Sequence, residues 1–527
     1  MKPQGIRRED LLRRLLHSGF ILGLMSMAWY ILRTGTKPSR QAYPCQQIAK
    51  TNTEIWLLAY IAPILAIGSR PKIKLNKHVL ATILISLTLL ATGTYYISLK
   101  GNSIQTDKPS NGTTPPTTPP TNPPTTPPTT PPTTPPTTPP TTPPSGGNQT
   151  SPPITNSNIF VVNGTRGGDG AIKKLIDLMG DNLLNLYQSP ISGKNRGSGG
   201  LIANDDTVII KVNSQWDERG GTNTDLLKEV IQAIIEHPDG WRGEIIVADN
   251  GQKQYGPEGD GGSFEWAKAN AIDHGQSVQK VVDGFDKKYR VSTYLWDTIT
   301  ETRVEEYSIG DTRDGYIVNA TRNTVTGIMV SYPKFTTKYG TMISFKLGIW
   351  NTSAKTYDSN KLKVINMPVL KSHVGYGVTA SVKHYMGVVS EKITSRLGSS
   401  SHESIRYGSM GTEMTQTRYP TLNILDCIWV NSEPRAGPPT SYSQATEVNM
   451  IVAGTDPVAI DYWSSKNILL RVTPDKTADD VKTMDPDYIA QGSFGNWLRL
   501  AMKEITRAGY QATVDESKMS IHITQLK

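Results

Sequence analysis

Residues 113–144 repeat Thr-Thr-Pro-Pro with one Thr-Asn-Pro-Pro variant, and this tract constrains the chain more than any other feature. It has almost no apolar side chain to bury, so it cannot collapse onto a core. Its proline pairs favour polyproline II at about 3.1 Å per residue, which lets the tract reach about 100 Å as a semi-rigid stalk. The tract holds 16 of the 36 prolines. The others are spread at ordinary density through the 527 residues, which leaves room for a folded body. Three regions follow: 1–100, a disordered Thr/Pro-rich linker at 101–155, and a folded domain at 156–527.

Charge separates the first region from the last. Residues 1–100 hold 14 of the 55 Lys and Arg but 3 of the 46 Asp and Glu, which leaves 41 basic against 43 acidic residues beyond them. The near-neutral body lacks the clustered cations of a nucleic-acid footprint, so no nucleic-acid partner is expected. Residues 15–32 and 79–99 are apolar runs long enough to cross a bilayer. Residues 55–67 are shorter and contain Pro63, and read as a third span or a re-entrant segment. The expectation is a membrane anchor of two or three transmembrane helices. Lys2, Arg7, Arg8, Arg13 and Arg14 precede the first run, and Arg70, Lys72, Lys74 and Lys77 precede the last. By the positive-inside rule both clusters are cytoplasmic, which places the body outside the cytoplasm. No small-residue cleavage site follows Leu32, so the anchor reads as uncleaved.

After residue 156, short β-branched runs alternate with amphipathic ones. This is the pattern of an α/β domain, with a mostly parallel sheet flanked by helices. Strands are expected at 159–162, 207–212, 244–248, 362–370, 422–430 and 448–453, and helices at 171–179, 226–235, 380–389, 458–469 and 492–507. Residues 285–350, rich in Tyr, Thr and Val, read as an antiparallel insertion.

Ligands of open α/β sheets collect beyond the C-terminal strand ends, and polar residues follow several of these strands. Lys211 and Asn213 precede a glycine-rich helix start at Gly220 to Asp225. Thr222 and Asp225 have capping-box spacing there, and free N–H groups at such a start also suit a phosphate or carboxylate. Asn163 to Gly170 reads as a flexible loop, since it matches neither the dinucleotide fingerprint nor a P-loop. Asp249 ends another strand, and Lys371-Ser-His373 and Lys383-His384 bring two lysines and two histidines near a third. Asp456, before Pro457, reads as a helix cap that also faces the cleft. Lysines suit an anionic ligand, and a histidine near its ordinary pKa of about 6.5 suits acid–base work. His373 and His384 are thus candidate catalytic residues. Lys211, Asn213, Thr222, Asp249, Lys371, Lys383 and Asp456 are candidate ligand-binding residues. The structural alternative is capped helices and packed histidines. No His-x-x-x-His or Cys-His spacing argues for a metal.

Six blocks resemble the domain of unknown function 362 family: Val208-Ile-Ile-Lys-Val-Asn213, Thr222-Asn-Thr-Asp225, Glu244-Ile-Ile-Val-Ala-Asp-Asn250, Lys363-Val-Ile-Asn-Met-Pro-Val-Leu-Lys-Ser-His373, Gly377-Val-Thr-Ala-Ser-Val-Lys-His384 and Ala453-Gly-Thr-Asp-Pro-Val-Ala-Ile-Asp461. Pro38-Ser-Arg and Tyr43-Pro-Cys45 resemble pieces of membrane-anchored members. The resemblance implies an α/β domain and no established reaction. Some members are described as iron-sulfur proteins with extra ferredoxin-type cysteines. This chain has only Cys45 and Cys427, so no iron-sulfur cluster is expected. Two functions compete: a domain that binds or converts a small anionic ligand, and a non-catalytic cell-surface binding or envelope-assembly module.

Protease added to intact cells is expected to cut in or near residues 113–144 and release a soluble body. A body protected until lysis would reverse the topology.

Overall fold

The apolar runs become strands of one ten-stranded sheet. The structure, a computed structural model, describes residues 156–253, 261–396, 399–474 and 479–526, together with residues 26–28, 30, 31 and 53. The chain divides into two units, Met1–Thr150 and Ser151–Lys527. Among the described residues no helix is long and apolar enough to cross a membrane. The runs at 55–67 and 79–99 and the tract at 113–144 lie outside them, as does the run at 15–32 apart from helical residues 26–28, 30 and 31.

In chain order the strands of the two larger sheets are β1 (Ser157–Asn163), β2 (Thr207–Lys211), β3 (Glu244–Asp249), β4 (Val291–Leu295), β5 (Gly315–Val318), β6 (Ser331–Thr336), β7 (Met342–Ser344), β8 (Gly348–Asn351), β9 (Thr356–Asp358), β10 (Leu362–Asn366), β11 (Val369–His373), β12 (Gly377–Thr379), β13 (Leu422–Asn431), β14 (Thr446–Gly454) and β15 (Met519–Gln525). The main sheet runs β15-β1-β14-β13-β10-β2-β3-β4, and β11 joins through β13 with β12 at its side. Along that path every strand is parallel except β14, which is antiparallel to both neighbours. Strands β5 to β9 form a separate antiparallel sheet.

Side chains alternate across the main sheet, and both faces are covered. Val208, Ile210, Ile245 and Val247 pack against α1 (Ala171–Asp181), α2 (Thr224–Ile235) and α3 (Val278–Asp286). Ile209, Ile246, Val364 and Leu425 face the other core, which contains α4 (Ser381–His384), α5 (Ser409–Gln416), α6 (Pro457–Ser464) and α7 (Phe494–Arg507). Phe335, Ile343 and Phe345 of the antiparallel insertion complete that layer.

The mixed α/β class and the mostly parallel sheet match the sequence reading, while several boundaries differ for physical reasons. The expected strand at 362–370 breaks between β10 and β11 because Pro368 has no N–H for a ladder; its carbonyl instead accepts from Asp426 N at 2.8 Å. The expected helix at 380–389 is one turn, followed by a 3-10 turn at Tyr385–Gly387. The insertion starts later than expected, since Val291–Leu295 extends the parallel sheet.

Glu413 of α5 is fully buried, and neither carboxylate oxygen accepts a hydrogen bond, although the Ser331 N–H lies nearby. Burial pushes its pKa well above the usual 4.5. The folded state thus holds a proton that the unfolded chain releases, so stability is fully present below pH about 4.5 and falls as pH rises toward the folded pKa. Each unit of that shift costs about 1.4 kcal/mol above the folded pKa. Glu413→Gln is expected to melt higher than the parent at neutral pH and to flatten the dependence, as read from thermal melts between pH 4 and 8.

Candidate functional site

Lys211 closes β2 and Asp249 closes β3, adjacent parallel strands in the register Lys211↔Ala248, so both side chains emerge at the same C-terminal sheet edge. There Lys211 Nζ donates to Asp249 Oδ1 at 2.7 Å, with both residues buried. Asp249 Oδ2 accepts from Ser214 N at 2.8 Å and from Ser214 Oγ at 3.0 Å. Burial lowers the Lys211 pKa, and Asp249 opposes that shift. Gly387 lies directly against the pair: a methyl group there would overlap Asp249 Oδ1 and stand 2.5 Å from Lys211 Nζ.

Lys371 and Lys383 are buried at the same edge and have a different setting. Among the described residues neither has a carboxylate within ion-pair distance. Lys371 Nζ donates to Gly220 O at 2.5 Å, and Lys383 Nζ lies 3.3 Å from His402 Nε2. Burial pushes both pKa values down to about 7, and the Lys383 charge adds to the shift of Lys371. Asp249 and Asp426 partly oppose the shift of Lys371, and Glu391 that of Lys383. His402 is held by Glu391, whose Oε1 accepts from His402 N at 3.1 Å and whose Oε2 lies 3.3 Å from Nδ1. Tyr376 stacks on His402 with ring centroids 5.1 Å apart, Arg406 lies 4.9 Å over the Tyr376 ring, and Tyr376 Oη donates to Glu403 at 2.8 Å.

The two histidines singled out from the sequence are both buried. Burial, followed by the charge of Lys383, holds His373 well below the usual 6.5. Its Nδ1 accepts from Gly375 N at 3.0 Å. His384 is held on both sides, with Nδ1 2.7 Å from Asn366 Oδ1 and Nε2 2.9 Å from Val212 O. Asn366 Nδ2 donates to Ser381 O and Asn423 Oδ1, which fixes its own oxygen toward His384. Two acceptors would suit an imidazolium, whereas burial beside Lys211 pushes the pKa far down. In either state both nitrogens face protein, so His384 ties α4 to β2 and β10 and has no nitrogen to offer a ligand.

Other candidates also have structural roles. Asn213 Oδ1 accepts from Val369 N, and Asn213 N donates to Thr222 Oγ1, which in turn donates to Met367 O. Asn223, not Thr222, caps α2, through Leu226 N at 3.0 Å. The N–H groups that looked available to an anion are taken: Asn223 N donates to Asp426 at 3.0 Å, and at the start of α1 Gly170 N and Ile172 N donate to Glu229. Asp456 lies away from Lys211. The last residue of the antiparallel β14, Gly454, pairs with Asn423, in the row that runs through Asn366 to Lys211, so Asp456 is set off from Lys211 by three strands across the sheet. There Asp456 caps α6 through Val458 N and Ala459 N and accepts from Ser157 Oγ.

His402, Glu391, Tyr376, Arg406 and Asp426 were not read from the sequence. Asp426 interrupts an apolar strand, which is a usable signal; burial raises its pKa to about 6. His402 and Glu391 sit in a polar stretch without periodicity and are placed by tertiary packing alone. Asp461 is the hidden support of the site. Its oxygens accept from Ser381 N at 2.7 Å and Val382 N at 2.8 Å, holding the turn that carries Lys383. Among the described residues no group of three or more His, Cys, Asp and Glu is arranged to hold a metal.

Residues 350–466 match the family model described as Domain of unknown function (DUF362). The matched stretch contains Lys371, His373, Lys383, Glu391 and His402 as well as Asp456 and Asp461. No curated protein and no solved structure matches the chain.

Gly387→Ala is expected to force Lys211 and Asp249 apart and cost about 3 kcal/mol or more of stability. Gly284→Ala, in α3 with open space around it, should be neutral or gain up to about 1 kcal/mol. Chemical denaturation of both variants checks the pair.

Proposed function

We propose, for a chain that belongs to the domain of unknown function 362 family, that its α/β domain binds or converts a small anionic ligand at Lys371 and Lys383, and that residues 1–100 anchor it to a membrane with the domain outside the cytoplasm. One observation carries the ligand reading: two buried lysines at the C-terminal edge of a parallel sheet lack carboxylate partners among the described residues, although a third, Lys211, has one. An unpaired buried cation is costly, and a bound phosphate or carboxylate would remove that cost. The position agrees with where open α/β sheets hold ligands. Arg406, ion-paired with Glu403 at the more exposed margin, would lie between the site and solvent. Support for the anchor comes from the apolar runs and basic clusters of the N-terminal fifth, and for display at a distance from the Thr-Pro tract.

Calorimetric titration of the purified full chain with oxalate and with inorganic phosphate tests the ligand reading. Saturable binding of at least one is expected, weakened about tenfold or more by Lys371→Met, a loss of about 1.4 kcal/mol. Affinity should fall as pH rises through about 7, where Lys371 and Lys383 lose their protons. Absence of saturable binding by either anion would defeat the proposal.

A further inference from the structure

Lys383, His402 and Glu391 form a chain of contacts that anion binding alone does not require. We propose that Lys383 is a nucleophilic amine that condenses with the carbonyl group of a small oxo acid, with His402 as its proton acceptor. The inference rests on the anion reading above, since Lys371 would hold the carboxylate of the same ligand.

The geometry assigns the roles. Glu391 grips His402 twice, at its backbone N–H and at Nδ1, and so turns Nε2 toward Lys383 Nζ 3.3 Å away. With its Nδ1 hydrogen directed at Glu391, His402 presents a lone pair to the lysine, the tautomer a proton acceptor needs. Lys383 is carried on α4, whose first N–H groups are clamped by Asp461, so the amine is held on a fixed turn. The groups whose charges act on Lys383 are Glu391 on the attracting side and Lys211 on the repelling side, with Lys371, His373 and His402 coupled to it through the same cluster. A second cation beside a desolvated lysine favours the free amine, the state able to attack a carbonyl.

The step balances without an oxidant or reductant. The Lys383 nitrogen lone pair forms a C–N bond to the carbonyl carbon while the carbonyl π pair moves to oxygen. His402 Nε2 takes a proton from the nitrogen and returns it to that oxygen. As the C=N bond forms, the oxygen departs as water carrying both former amine protons. Lys371, whose one hydrogen-bond partner among the described residues is Gly220 O, retains donors for the ligand carboxylate.

The test uses the full chain, glyoxylate and sodium cyanoborohydride at pH 7.5, with peptide mass spectrometry to locate the carboxymethyl group left on a trapped lysine. Lys383 is expected to be labelled at least tenfold faster than the exposed Lys194 and Lys268. Lys371→Met should slow that labelling, and Lys383→Arg should abolish the fast phase. His402→Gln should slow labelling by a larger factor than it weakens oxalate binding; an unaltered rate would remove His402 from the step. Labelling of Lys383 no faster than of the surface lysines, in a preparation that binds oxalate, would overturn the covalent proposal and leave the anion site standing. Failure of both oxalate binding and labelling would overturn the two together.

Discussion

The Lys211–Asp249 ion pair sets the terms for everything at this sheet edge. Neither ion reaches solvent, so each depends on the other and on the hydrogen bonds around them. Asp249 satisfies its second oxygen with the Ser214 N–H and hydroxyl, which fixes the course of the chain after β2. Gly387 closes over the pair from the turn after α4, and the lack of a side chain there brings the segment carrying Lys383 down onto β2 and β3. A buried pair with its lone pairs filled is tolerable where a single ion would not be. Its neutrality leaves Lys371 and Lys383 as buried lysines of this edge with no carboxylate at ion-pair distance among the described residues.

Carboxylates of the protein itself occupy the places where an α/β fold ordinarily invites an anion. Glu229 sits on the first N–H groups of α1, Asp426 on the entry to α2, Asp461 on α4 and Asp456 on α6. Burial raises Asp426 and Asp456 to about 6 and Asp461 to about 7, which marks how dry these positions are. With the helix starts filled, the remaining attraction for a negative group is concentrated on side-chain cations. Anion recognition as proposed would therefore differ from that of a glycine-rich phosphate cradle.

Much of this arrangement was legible in the sequence because strand interiors and strand ends follow local rules. Continuous β-branched runs gave the central strands, and in a parallel sheet their polar last residues meet at one edge, as Lys211 and Asp249 do. Asp456 shows where that logic stops: strand order is decided by tertiary pairing, and β14, antiparallel to both neighbours, ends three strands across the sheet from Lys211. Thr222 was one residue from the true cap, because Asn223 offers a better acceptor than a hydroxyl already bonded to Met367 O. The Glu391–His402 contact leaves no periodic trace, since it depends on partners distant in the chain, whereas the alternation of Met519, Ile521 and Ile523 with polar residues does mark β15. The burial of His373 and His384 was equally invisible, because burial depth is a property of the assembled layers.

The pairing of β1 with β15 joins Ser157 to Met519, and β1 is flanked on its other side by β14. The strand that directly follows the Thr-Pro region is thus an interior one, hydrogen-bonded along both sides. A pull arriving through residue 156 would load two ladders in shear at once, where an edge strand would peel one bond at a time. The domain is in this sense built to hang from its first strand. The same pairing makes assembly slow, because β1 gains its outer neighbour only after more than 350 intervening residues have been made.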